Sequence, residues 1–202
     1  MKIKIITLLA LIILISCKTN PNKQIDEGKI TESTYHSNEI GWTMEIPTGW
    51  NVTHKSISDE RTEKGLEAIK ESAGIDYDAS GLKQLLNFQK DRFHIFQSTS
   101  EPFKIEYEGE WEDNNEGLKQ LLYETYESRG IKIDTSSSTK KIDNLSFEVF
   151  HITMYGPDGK IILYQDMYGR LINGFDFGVN LNYINEKEKN EMMKVWKESK
   201  FE

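Results

Sequence analysis

Asp76, Asp78 and Ser80, followed by Gly81, occupy positions 1, 3, 5 and 6 of a D-x-D-x-S-G run. In a calcium loop, oxygens at alternate positions turn inward on the cation and the glycine permits a sharp turn. This run is half such a loop. Position 12 is Asn87, where a bidentate glutamate should close the shell, and Lys83 brings a cation into its middle. Asp76, Asp78 and Ser80 remain the calcium candidates, but capping of a short helix by Asp78 or Ser80 is the expectation. Glu106, Glu108, Glu110 and Glu112 alternate with other residues, so an extended backbone would project four carboxylates from one face towards a cation or a basic partner. A solvated, charged edge is the plainer outcome. His36, His54, His94 and His151 are scattered, with no pair at metal-ligand spacing. Trp42, Trp50, Trp111 and Trp196 are expected as core or rim aromatics.

The chain has no G-x-S-x-G elbow, H-E-x-x-H helix, P-loop or dinucleotide fingerprint, so no catalytic residue, metal or cofactor is assigned. The expectation is a non-catalytic module that binds or assists another component. The alternative is a hydrolase whose site is assembled only by folding, which a cleft holding a hydrogen-bonded nucleophile and base would favour.

Cys17 is the single cysteine. Lys2 and Lys4 form a positive n-region, and Ile5 to Ile15 is apolar except for Thr7. That length suits a signal peptide and falls short of the ~20 residues a membrane span requires. Leu14-Ile15-Ser16-Cys17 resembles the bacterial lipobox. The resemblance implies cleavage between Ser16 and Cys17 and a covalent lipid on the Cys17 thiol. Residues 1–16 are then a lipoprotein signal peptide, and no thiol is left for a disulfide.

The sequence carries 25 basic and 33 acidic side chains, a formal charge of −8. Removing residues 1–16 takes away two lysines and no acid, moving the charge to −10. Such a surface argues against nucleic acid and against electrostatic adhesion to anionic lipid. The expected membrane link is therefore covalent, with an envelope protein as partner. Lys18 stands where aspartate would favour inner-membrane retention in enterobacterial lipoproteins, so the outer membrane, facing the periplasm, is the expected location. Residues 17–37 are sparse in apolar side chains and read as a flexible tether, with a reach of roughly 25 Å.

These residues need elements to position them. Ile40, Trp42, Met44 and Ile46 alternate as a half-buried strand, and Trp50-Asn51-Val52 is expected as its hairpin partner. A helix from Ser58 to about Ser72 stops at Gly74, and a shorter one is expected after Ser80. Asn114 or Asn115 should begin a helix carrying Leu118, Leu121, Leu122 and Tyr126. Phe147–Tyr155 and Lys160–Tyr168 read as strands joined by Gly156-Pro157-Asp158-Gly159, and Phe175–Tyr183 as a third. Asn185 starts a last helix with Met192, Met193 and Trp196. The hexapeptide Gly-Leu-Lys-Gln-Leu-Leu occurs at both 81–86 and 117–122, and both copies read as helix starts. Strands adjacent in sequence favour an α+β fold, an antiparallel sheet with helices packed on it, over residues 38–202.

Trp42-Thr-Met44-Glu-Ile46-Pro47-Thr-Gly49-Trp50 resembles the opening of PsbP-like domains. The two long strands, the strand at Phe175–Tyr183 and the last helix ending in Ser199-Lys200-Phe201 resemble that family's second half. The resemblance implies an α/β/α sandwich around an antiparallel sheet, and binding or accessory roles with no single ligand.

Overall fold

The computed structural model describes residues 20–202. Residues 1–16, Cys17 and the cleavage site beside Ser16 lie outside that range. In chain order the elements are β1 (Lys29–Thr31), β2 (Thr34–His36), β3 (Trp42–Glu45), β4 (Asn51–Val52) and α1 (Lys55–Ala73). Next come β5 (Lys83–Gln84), β6 (Phe88–Gln89), β7 (Ile95–Pro102) and α2 (Glu110–Ser128). The second half contains β8 (Lys132–Ile142), β9 (Leu145–Tyr155), β10 (Ile161–Ile172), β11 (Phe175–Tyr183), α3 (Glu186–Glu198) and β12 (Lys200–Phe201).

Two antiparallel sheets result. The larger runs β4-β6-β7-β11-β10-β9-β8, with β5 also paired to β7, and the smaller runs β1-β2-β3-β12. Along β11 the pleat sends Phe177, Val179, Leu181 and Tyr183 to the core. Asp176, Gly178 and Asn180 therefore point to the opposite face. On the core face lie α3 and the smaller sheet, joined through Trp196. Its ring meets Phe147 at 5.3 Å, Tyr168 at 5.6 Å and Trp42 at 5.9 Å. Each such aromatic pair contributes about 0.5–1.5 kcal/mol beyond its buried area. On the other face α2 covers Phe150, Ile152 and Met154 with Leu122 and Tyr126. There α1 is tied to α2 by a hydrogen bond between the Ser72 and Thr125 hydroxyls, 2.9 Å. The fold is α+β, with sheet between helical layers.

Several expectations hold. The β9–β10 hairpin turns through Gly156–Gly159, where the Gly156 N–H donates to Lys160 at 2.8 Å. The bounds of β11 are Phe175 and Tyr183. Asn185 caps α3, its side-chain oxygen accepting from the N–H groups of Lys187 and Glu188. Helix α1 stops at Gly74, whose φ of 69° is left-handed.

Others are corrected. The tether expected over 17–37 is not a coil from residue 20 onward. Ile30 and Tyr35 of β1 and β2 are 3% and 0% exposed and belong to the main core. Glu27 ties this segment down: its carboxylate accepts from Ser37 Oγ at 2.5 Å and the Asn38 N–H at 2.8 Å. Strands of three residues are too short to show a period, which is why the segment reads as coil. Asn51–Val52 is no hairpin partner of β3. The Pro47–Gly49 turn carries the chain to the larger sheet, where β4 pairs with β6 and Trp50 packs edge-on against Phe88 at 5.5 Å.

The helix expected after Ser80 is instead β5 and a loop. Leu85 and Leu86 are both fully buried, and the Leu85 N–H donates to the Ser98 carbonyl at 2.9 Å. The identical hexapeptide at 117–122 is helical within α2. Helix α1 begins at Lys55, before Ser58, which is buried and accepts from the Asn87 amide. Helix α2 begins at Glu110, before Asn114, because Glu110, Glu112 and Asp113 favour a helix N-terminus electrostatically. The Glu106–Glu112 run is therefore not an extended carboxylate face.

Candidate functional site

Two clefts open on opposite faces of the larger sheet. The first, about 330 Å³, lies between the sheet, α1, α2 and the loop before β5. Its floor is low because Gly169 of β10 and Gly178 of β11 face each other in register. A Cβ at Gly178 would meet Thr99 Oγ1 at 3.5 Å and the Tyr168 carbonyl oxygen at 3.9 Å, both ordinary van der Waals contacts, so packing does not require the glycine. Leu118, Leu122, Phe150 and Met167 supply apolar wall, while Gln97, Thr99 and Asn115 supply polar groups. Asn180 on the lining has a buried side-chain oxygen with no hydrogen-bond partner among the described residues. Asp176 is held by the Trp111 indole N–H at 2.9 Å. Burial raises its carboxyl above the ordinary aspartate range, with the Trp111 bond working in the opposite direction. Tyr77 donates to Glu101 and straps the loop to β7 at the rim.

The second cleft, about 710 Å³, lies beside α3 and over facing stretches of β8, β9 and β10. Ser138 Oγ is 2.8 Å from His151 Nε2, and His151 Nδ1 is 2.6 Å from Asp166 Oδ1. The Tyr183 hydroxyl donates to Asp166 Oδ2 at 3.0 Å. Burial and the nearby Asp166 charge raise the Tyr183 hydroxyl well above its ordinary range, which keeps it a donor. Sequence reasoning left His151 among scattered histidines and gave Ser138 and Asp166 no role. The three residues stand 13 and 15 positions apart, and only the pairing of three consecutive strands gathers them.

The residues singled out from the sequence fall elsewhere. Asp76 pairs with Lys70 at 3.1 Å. Asp78 accepts from the Ser80 N–H at 2.9 Å, closing a local turn instead of capping a helix. These three calcium candidates do not converge, and no group of three or more His, Cys, Asp or Glu among the described residues is placed to hold a metal. His36 bonds Thr43, and the buried His94 bonds Asp91 and Asn185. All four tryptophans are buried. Among the described residues no helix is long and apolar enough to cross a membrane.

The order of elements and the two-faced sheet have a counterpart among solved structures. The solution structure of cyanobacterial PsbP (CyanoP) from Synechocystis sp. PCC 6803 matches with a TM-score of 0.55, over 87% of this chain and 96% of that one. The chain has a PsbP-like fold. Identity to CyanoP is 10%, so the likeness carries the PsbP-like architecture and no ligand. Neither a protein-family model nor a curated protein sequence matches the chain.

Proposed function

We propose that this PsbP-like chain is a lipid-anchored accessory module of the bacterial cell envelope. It is attached through Cys17, faces the periplasm from the outer membrane, and holds its ligand in the cleft beneath α1 and α2 without chemistry at that cleft. The observation that carries the binding role is the glycine-lowered floor between an apolar wall and unpaired or buried polar groups, the composition of a small-molecule site. The n-region, the apolar run and the lipobox-like Leu14–Cys17 support the anchor.

Two experiments test this reading. Cys17→Ser should abolish incorporation of clickable palmitate in cells; unchanged incorporation refutes the anchor. Nile red, a neutral amphipathic dye, should bind the purified chain saturably. Gly178→Ile should abolish that binding while leaving the melting temperature at or above the parent's, because a β-branched residue suits a strand. Dye binding untouched by Gly178→Ile would remove the cleft from the proposal.

A second reading, an envelope hydrolase, is favoured by one specific observation: the hydrogen-bonded series Ser138–His151–Asp166 in the other cleft.

A further inference from the structure

Strand β8 pairs with β9 and β9 with β10, placing Ser136 opposite His151 and His151 opposite Asp166. Ser138, two residues along β8 from Ser136, lies on the same face and reaches His151 diagonally. We propose that this cleft is an acyl-transfer site, with Ser138 as nucleophile and His151 as general base, acting on carboxylic esters that carry a carboxylate or phosphate group. The proposal deepens the hydrolase reading and rests on it. It is independent of ligand capture under α1 and α2.

The order of donors is the one such chemistry needs. Asp166 is 6% exposed and both of its oxygens are engaged, one by His151 Nδ1 and one by the Tyr183 hydroxyl. A carboxylate bonded at Nδ1 selects the tautomer with its proton there, leaving the Nε2 lone pair towards Ser138 Oγ. Asp166 and Tyr183 are thus positioning residues. A buried cross-strand ladder would need no access, whereas the His151 side chain is 31% exposed and lines the open cleft together with Ser138.

Charge selects the substrate. The chain is acidic, at −8, yet Lys140, Lys141, Lys189 and Lys197 surround this one cleft. Lys189 reaches Glu186 at 3.4 Å and lies 4.9 Å from the centre of the Tyr183 ring. Among the described residues no carboxylate is within ion-pair distance of Lys140, Lys141 or Lys197, and the acids on the lining are Asp166 and Glu186. A positive field over a nucleophile attracts an anionic substrate and stabilises the oxyanion that forms on attack.

The steps balance without a co-reactant other than water. Ser138 Oγ bonds to the ester carbonyl carbon as its proton passes to His151 Nε2. The tetrahedral oxyanion collapses, the C–O bond to the leaving group breaks, and His151 returns the proton to the departing alcohol. Water then attacks the acyl-Ser138, giving its proton to His151. On collapse the free acid leaves and Ser138 recovers its proton.

The test uses the detergent-solubilised full chain, a fluorophosphonate probe and two chromogenic esters, mono-p-nitrophenyl glutarate (anionic) and p-nitrophenyl butyrate (neutral). The probe should label the peptide containing Ser138, and Ser138→Ala should abolish both labelling and turnover. His151→Gln should lower turnover by about 10²-fold or more, the usual share of a general base. Tyr183→Phe should lower kcat with KM little changed. The double variant Lys140→Ala/Lys197→Ala should raise KM for the anionic ester several-fold more than for the neutral one. Melting curves establish that each variant is folded. No label on Ser138 in the folded parent, or turnover indifferent to Ser138→Ala, overturns the proposal. The Nile red result, read at the other cleft, stands or falls separately.

Discussion

Asp176 shows how one side chain couples the sheet to pH. Its carboxyl is raised by burial, so the folded chain holds that proton more tightly than the unfolded chain does. Folding is therefore favoured below the unfolded value, and that advantage is lost as pH rises through the folded one. Asp176→Asn keeps an acceptor for the Trp111 indole N–H while removing the buried charge. The variant should melt higher than the parent at pH 7, with the gap closing as pH falls into the range where aspartate is protonated. A gap constant with pH would mean that the carboxylate is not desolvated. At the same scale, Gly28 has a φ of 81°, and a Cβ there would stand 2.4 Å from the His36 carbonyl oxygen. Gly28→Ala should therefore cost about 1–3 kcal/mol, read as a lowered denaturant midpoint. A midpoint equal to the parent's would mean that the β1–β2 hairpin is not packed as described.

At the level of elements, that hairpin separates the legible from the illegible. A chain starting at residue 38 loses Ile30 and Tyr35, each contributing roughly 1.5–3 kcal/mol by burial, against a total domain stability of about 5–15 kcal/mol. Relative to a chain starting at residue 20, it should melt about 6–24 °C lower, at roughly 2–4 °C per kcal/mol, or fail to fold. Equal melting would restore the tether. Long elements with one buried face announced themselves: β9, β10 and β11 by alternation, α3 by its Asn185 cap. Strands of two or three residues did not, because a period needs repeats; β4 alone among them was expected as a strand, and with the wrong partner. Strand β8 was also hidden, since as a sheet edge it buries only Ile142. With β8 unread, Ser138 had no place, and the series to His151 and Asp166 could not be seen. The hexapeptide at 81–86 and 117–122 makes the same point about context, as one sequence forms strand and loop in one place and helix in the other. Leu85 and Leu86 are buried by β7 and the main core, whereas Leu118 remains 38% exposed on α2. Tertiary burial overrides propensity.

For the whole molecule, the early start of the ordered fold sets a length scale. With an anchor at Cys17, as proposed, only Lys18 and Thr19 separate the lipid from residue 20. Three residue steps reach about 10 Å even fully extended, well below the roughly 25 Å of a 20-residue coil. Inserting 20 Gly/Ser residues after Thr19 should leave the melting temperature unchanged but weaken copurification with any partner in the same membrane. Unchanged copurification would locate the partner away from that membrane. So short a leash turns the search for a partner into a two-dimensional one. A domain anchored in that way would sweep the bilayer plane like a puck, its meeting rate set by lateral diffusion and surface density, not by concentration in the surrounding fluid.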